Sequence, residues 1–319
     1  MMKPKCLYCY EPLNGETDFH GKCSLKFFGT STPPKIPYTL GQMTELAKQV
    51  VERSVSVPGV QPKLSMSFVK GTIEKGDNRL TVMGALGGNY IFKPPTVDFP
   101  ELPANESLTM RIAEFFGLPV VPSSLIRLAS GELSYITKRI DRTDNGEKIH
   151  MLDMFQITEA FDKYKSSMEK VGKAIGEYSI NPRLDKLNLF ELTVFCFLTG
   201  NNDMHLKNFS MIQSASGWKL APYYDLLNVA IANPSDREEL ALTMVGKKSN
   251  FNPDHFYQFG TDLGLNLKQI AGVFRRIRKN KDQTISWINR SFLSLEMKSA
   301  YLELLENRYE RIFGERNFG

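Results

Sequence analysis

The chain has 319 residues, 42% of them hydrophobic and 24% charged, with a net charge of +5. At roughly 100–200 residues per domain, that length allows two domains or one large two-part unit. The balance excludes a disordered chain, no apolar run approaches the roughly 18 residues of a membrane-spanning helix, and the mild positive charge permits a polyanionic partner without demanding one.

The opening residues, MMKPKCLYCYEPLNGE, have neither the apolar core nor the small-residue cleavage site of a signal peptide, so a cytoplasmic location is expected. Three of the four cysteines lie in the first 30 residues, spaced Cys6-x2-Cys9-x10-His20-x2-Cys23. Three thiols and an imidazole can close a tetrahedral zinc site, and a metal would stabilise a segment too short to build its own core. The competing reading is reduced thiols packed as small apolar groups; disulfides are not expected in a reducing compartment. Cys196 falls in an apolar run and reads as core.

Residues 31–38, STPPKIPY, form a Pro-rich linker. Apolar spacing predicts a helix over 40–52, with Leu40, Met43, Leu46, Ala47, Val50 and Val51 on one face. The stretch SVPGVQPKLSMSF, 56–68, is a Gly/Pro loop that runs into an alternating strand. Residues 54–92 read as loops and strands, with turns at KGT, KGDN and the Gly84–Gly88 cluster. Tyr90-Ile91-Phe92-Lys93 is a short strand stopped by Pro94-Pro95. A helix is expected over 105–116, ending at Gly117, and a hairpin over 120–128 and 134–139. Beyond about residue 150 the pattern turns helical: 167–178, 187–198, 267–279, 285–293 and 297–313, with a Pro-rich polar stretch at 221–252. The basic run RRIRKNK, 275–281, reads as a solvated helix end. A strand-rich first half and a helix-rich second half predict a two-lobed α+β protein. The segments are 1–38 (Cys-rich segment and linker), 39–145 (first lobe) and 146–319 (helical lobe).

The densest chemistry is GNNDMHLKNF, 200–209. Asp203 stands five residues before Asn208, and Asp225 follows in APYYDLLN. Alone, Asp-x4-Asn also suits turns and caps. With the second Asp it matches the catalytic loop of protein kinases, where the first Asp takes a hydroxyl proton. The Asn, and an Asp a short hairpin later, hold Mg²⁺. His205 reads as a residue that orients the backbone or Asp225. Such a reaction needs a cation on the nucleotide phosphates; Lys93 ends a predicted strand, and Glu106, near the start of the next helix, is its expected partner. Neither G-x-x-x-x-G-K-[ST] nor G-x-G-x-x-G occurs, which leaves VPGVQPK as the candidate phosphate-covering loop.

Together, VPGVQPKLS, IFKPP, ANESLTMRIAEFFGL, YITKRIDR, DKYKSSMEKVGK, GNNDMHLKNFSMI and APYYDLLNVA resemble the HipA family of bacterial Ser/Thr kinase toxins, over roughly residues 54–310. The resemblance implies a protein-kinase-like fold, with Asp203 as catalytic base and Asn208 and Asp225 as Mg²⁺ ligands. It implies nucleotide contacts at Pro58, Gly59, Val60, Gln61, Pro62 and Lys63 of the loop, at Lys93, at a hinge of Lys138, Arg139 and Ile140, and at His205 and Tyr224. Ser56, with Ser54 as the less close match, would be the autophosphorylation switch. The residues ahead of the loop leave no room for the N-terminal subdomain of full-length HipA proteins, so the chain is most like HipT, the short kinase of three-part systems. The resemblance implies a helix-turn-helix HipB-like antitoxin and a small HipS-like protein as partners, DNA contact only through the antitoxin, no membrane, and an aminoacyl-tRNA synthetase as substrate. D-x-H-x-x-N is also a signature of aminoglycoside and choline kinases, so a small-molecule phosphotransferase is the alternative. A non-enzymatic scaffold using the Cys segment and the basic helix is the third reading.

Overall fold

In the computed structural model, residues 4–53, 63–69, 78–82, 88–143 and 145–314 are described. The candidate loop from Pro58 to Pro62, Ser54 and Ser56, and most of the Gly84–Gly88 cluster, lie outside the described residues. The chain divides into two compact units: Met1–Ser107 with Val121–Lys148 and Arg290–Phe292, and Leu108–Val120 with Ile149–Asn289 and Leu293–Gly319.

The first unit is built on an antiparallel sheet of β1 (Leu64–Val69), β2 (Arg79–Val82), β3 (Tyr90–Lys93), β4 (Ser123–Arg127) and β5 (Leu133–Lys138), in the order β2-β1-β3-β5-β4. Alternating side chains set the register. Leu64 faces Phe92, and Phe92 faces Ile136. All three are buried. Gly88 delivers the chain into β3: at φ +84, a Cβ there would lie 2.3 Å from the Met66 carbonyl oxygen, so only glycine fits. β3 stops at Lys93 because Pro94 and Pro95 carry no N–H for the ladder. The following helix, Leu102–Phe115, starts three residues before the expected 105. Pro103 falls in its first turn, where a missing N–H costs nothing.

The second unit surrounds the helix Pro182–Thr199, buried without interruption from Leu189 to Thr199. An all-round apolar helix belongs in a core rather than on a surface. It starts five residues before the expected 187 because Pro182 takes the first helical position. Aromatic edges pack on it: Phe195 on Phe116 at 5.5 Å, Phe197 on Phe256 at 5.2 Å and Phe190 on Phe274 at 6.0 Å. Arg308 lies 4.3 Å over the Phe197 ring and pairs with Glu239, which also binds Arg311. In the basic run, Arg276 clamps Glu191 through two bonds of 3.1 and 2.9 Å, so part of the run is structural.

A second sheet, β6 (Met151–Asp153), β7 (Ser210–Ser214) and β8 (Gly217–Leu220), is antiparallel in that order. The β7–β8 hairpin separates the Asp203 loop from Asp225, as the kinase-like spacing anticipates. The helix Pro253–Asp262 falls outside the sequence expectation; its mark is Asn252-Pro253, with a capping box between Asn252 and His255. Among the described residues, no helix is long and apolar enough to cross a membrane.

Gly200 ends the central helix in the left-handed conformation, with its N–H on the carbonyls of Cys196 and Phe197. A Cβ at this φ of +71 would sit 2.5 Å from Asn228 Oδ1. Gly200→Ala is therefore expected to destabilise the protein by more than about 1 kcal/mol, read as a lowered urea midpoint; an unchanged midpoint would contradict the turn geometry.

Candidate active site

Strand alternation and the Pro94-Pro95 stop place Lys93 at the end of β3, opposite Tyr135 of β5. Its Nζ donates to Glu106 Oε1 at 2.6 Å, and the two side chains are only 5% and 1% exposed. The ammonium also lies 5.4 Å over the Tyr135 ring. Burial, and then the Glu106 charge, push the Tyr135 hydroxyl far up, so it stays neutral beside the pair. The carboxylate thus fixes the ammonium at the end of β3.

In the second unit, the polar loop begins where Gly200 turns the chain out of the central helix. Asp203 accepts a hydrogen bond from the Tyr164 hydroxyl at its Oδ1, 2.8 Å. Burial, followed by the hydrogen bond to Asp203 and then its charge, pushes the Tyr164 hydroxyl up, which keeps it a donor. The Asp203 carbonyl accepts from His205 N at 2.8 Å and from Asn208 Nδ2 at 3.0 Å. Asn201 ties in the second aspartate, Asp225: its Oδ1 accepts from Asp203 N at 3.3 Å, and its Nδ2 donates to the Asp225 carbonyl at 3.5 Å. Asp225 sits at φ +61. A left-handed backbone at a non-glycine residue costs on the order of 1–3 kcal/mol and persists only where its surroundings enforce it.

The donor set fits a hard cation. Asn208 spends an N–H on Asp203, which leaves its amide oxygen as the ligand atom, and Asp225 offers a carboxylate; Mg²⁺ takes such oxygens together with phosphate.

His205 is buried, and Lys163 Nζ lies 3.0 Å from its Nε2. Burial lowers its affinity for a proton; Asp203 opposes this, and Lys163 adds to it. The ring is therefore neutral and accepts from Lys163. It packs edge-on against Tyr164 at 5.1 Å. Its Nε2 is thus tied to Lys163.

Tyr224 bonds Ser210 Oγ at 2.6 Å and donates to the Lys207 carbonyl at 3.1 Å, bracing the short 3-10 turn Leu206–Asn208. At the expected hinge, Lys138 N donates to the Pro122 carbonyl, and its ammonium lies 5.9 Å over Phe27. Arg139 clamps Asp141 through two bonds of 2.9 and 2.6 Å, and Ile140 is half-buried. These hinge side chains are thus occupied within the first unit. Lys63, the one loop residue described, is exposed. Sequence reading missed Tyr164, Lys163 and Asn201 as parts of the loop's support; the motifs DKYKSS and GNND were their only trace.

The four N-terminal candidates also meet: the ligand atoms of Cys6, Cys9, His20 and Cys23 lie within 4.8 Å of one another. A hydrogen bond between Cys6 and Cys9 pulls the Cys6 thiol well down and pushes Cys9 up.

A family model described as HipA-like C-terminal domain matches residues 55–285. A protein of Haemophilus influenzae named putative kinase is 26% identical over 290 residues, 82% of this chain and 82% of that protein. Putative kinase Y4mE of Sinorhizobium fredii is 29% identical over 249 residues, 74% of this chain. The Serine/threonine-protein kinase toxin HipA of Shewanella oneidensis is 26% identical over 291 residues, 82% of this chain. The chain spans 56% and 64% of the lengths of these last two. Among solved structures, the complex of Shewanella oneidensis HipA with HipB and operator DNA matches with TM-score 0.65 at 22% identity, covering 84% of this chain and 71% of that one. The Helicobacter pylori proinflammatory kinase CtkA matches with TM-score 0.55 at 17% identity, covering 78% and 93%. These likenesses establish the expected α+β, protein-kinase-like fold.

Glu106→Gln is expected to cost about 3–5 kcal/mol, because it strands a buried ammonium, while the double change Lys93→Met/Glu106→Leu recovers most of that loss. Thermal melts of both variants check this; equal melting of the two would mean the pair is not buried as described.

Proposed function

From its membership of the HipA-like C-terminal domain family, to which the chain belongs over residues 55–285, we propose that it is an ATP- and Mg²⁺-dependent serine/threonine protein kinase. We propose further that it is the toxin of a HipBST-type system. The observation that supports the reading is the network Tyr164–Asp203–Asn208 with Asn201 and Asp225, which brings the Asp-x4-Asn pair and the second Asp of the kinase pattern into one hydrogen-bonded loop.

Asp203 takes the proton of the attacking serine or threonine hydroxyl. Tyr164 occupies one of its oxygens, which fixes the carboxylate plane and leaves the other to the substrate. Lys93, fixed by Glu106, offsets charge on the nucleotide phosphates. Asn208 and Asp225 would hold Mg²⁺, which when bound neutralises charge developing on the phosphoryl oxygens. The chemistry needs position and charge rather than a covalent intermediate.

Ser56 is the proposed autophosphorylation site and Ser54 the second candidate. A phosphate there would bring close to two negative charges beside the loop proposed to cover ATP. The named relative HipA and its structure with HipB and operator DNA support a HipB-like antitoxin partner, with DNA reached through it. A HipS-like third protein and an aminoacyl-tRNA synthetase substrate complete the proposal.

Incubation of the full chain with labelled ATP and Mg²⁺, with the sites mapped by mass spectrometry, tests it. Label is expected on Ser56 or Ser54. Asp203→Asn should slow transfer about 10²–10⁴-fold while nucleotide affinity is kept. Label found only on an added aminoglycoside or choline would replace the protein-kinase reading with a small-molecule phosphotransferase.

A further inference from the structure

The kinase reading leaves the N-terminal Cys/His cluster unused. We propose that Cys6, Cys9, His20 and Cys23 form a tetrahedral zinc site whose metal braces the helix that carries Glu106.

The geometry is that of a ligand shell. Zinc bonds of about 2.3 Å to sulfur and 2.0–2.1 Å to nitrogen put the S···N edges of a tetrahedron at about 3.6 Å. His20 Nδ1 lies 3.4 Å from Cys9 Sγ and 3.8 Å from Cys23 Sγ. The other ring nitrogen, Nε2, donates to the Pro12 carbonyl at 3.0 Å. That bond fixes the tautomer with the Nδ1 lone pair towards the thiols, the outer hydrogen bond that metal-bound histidines keep. Cys6 and Cys23 are buried, whereas Cys9 and His20 are half-buried.

The backbone is built for the same purpose. Cys6 to Cys9 is a tight turn: Tyr10 N returns to the Cys6 carbonyl at 2.9 Å, and Tyr10 adopts φ +65. Cys23 lies in the first turn of the helix Gly21–Phe28, with its N–H on the His20 carbonyl. One knuckle and one helix turn thus contribute two ligands each. A disulfide would use two thiols and leave a third thiol and the imidazole facing it. Soft thiolates select zinc over the hard Mg²⁺ of the kinase reaction.

The knuckle is joined to the rest of its unit at two places. Tyr10, next to Cys9, donates its buried hydroxyl to Ser107 Oγ at 2.9 Å and packs edge-on against Phe292 at 4.9 Å. Ser107 follows Glu106 in the helix. On the other side, the Leu7 carbonyl, inside the knuckle, accepts from Leu125 N of the edge strand β4 at 3.4 Å, and Asp18 pairs with Arg127. Zinc would therefore lock a turn that covers the sheet edge and holds the Glu106 helix turn in place.

Elemental analysis of the purified full chain is expected to give about one zinc per molecule, and Co²⁺ in its place should show the absorption of a tetrahedral thiolate site. Cys9→Ser should lose the metal. Amide hydrogen exchange should then accelerate at least ten-fold at residues 105–108, measured on this variant and on wild-type chain stripped with a mercurial and a chelator. Tyr10→Phe should keep the zinc and reproduce the faster exchange. Absence of metal, or three thiols in the native chain that all react freely with Ellman's reagent, would overturn the site; unchanged exchange in the stripped chain and in Tyr10→Phe would overturn the brace. None of these readouts depends on kinase activity.

Discussion

A lysine and a glutamate with almost no exposed surface dominate the chemistry of the first unit. Removing both charges from water costs several kcal/mol per ion, which their attraction at 2.6 Å repays only with good geometry. A well-packed apolar pair would serve stability as well. The pair is better understood as a way to hold an ammonium at one place at the end of β3. The arrangement around it follows: Pro94-Pro95 ends the strand at that residue, the Tyr135 ring faces the ammonium, and the Leu102–Phe115 helix sets the carboxylate.

The second unit handles the opposite problem, which is to hold acidic and amide oxygens ready without letting them pair with one another. The buried helix Pro182–Thr199 supplies a rigid base, and Gly200 turns the chain off it. From there donors hold the loop's acceptors: the Tyr164 hydroxyl on the Asp203 carboxylate, and the amides of Asn208 and Asn201 on the carbonyls of Asp203 and Asp225. Lys163 does the same for His205, whose burial keeps it uncharged.

Much of this was legible in the sequence, and the limits have physical causes. The spacing of Asp203, Asn208 and Asp225 depends on a local turn and one hairpin, so it survives as a linear pattern. Lys93 and Glu106 are close in sequence and joined by one strand end and one helix start. The Cys/His spacing likewise reflects one knuckle and one helix turn. The support for the loop was hardly legible, because Tyr164 and Lys163 reach it from about 40 residues away in sequence, and their motif DKYKSS does not say what they touch. Helix starts at Leu102 and Pro182 were placed late, since prolines in first turns interrupt apolar periodicity while favouring the helix. The hinge positions Lys138 and Arg139 rested on family position alone; Lys138 lies over Phe27 by tertiary packing that no local pattern encodes, whereas Arg139 is clamped by Asp141 two residues on.

The places where local rules are broken carry the argument further. Asp225 adopts a left-handed backbone that glycine would hold more cheaply. Lys93 and Glu106 are charged where apolar groups would pack. His205 is neutral and faces an ammonium. A sequence under selection for stability alone would tend to remove such features, since surrounding structure must hold each of them in place. Left-handed backbone also occurs at Asp18, Glu159, Val245 and Asn250, and Glu239 and Arg308 form another buried charged pair, so strain points to chemistry only where it coincides with the spacing of Lys93, Glu106, Asp203, Asn208 and Asp225.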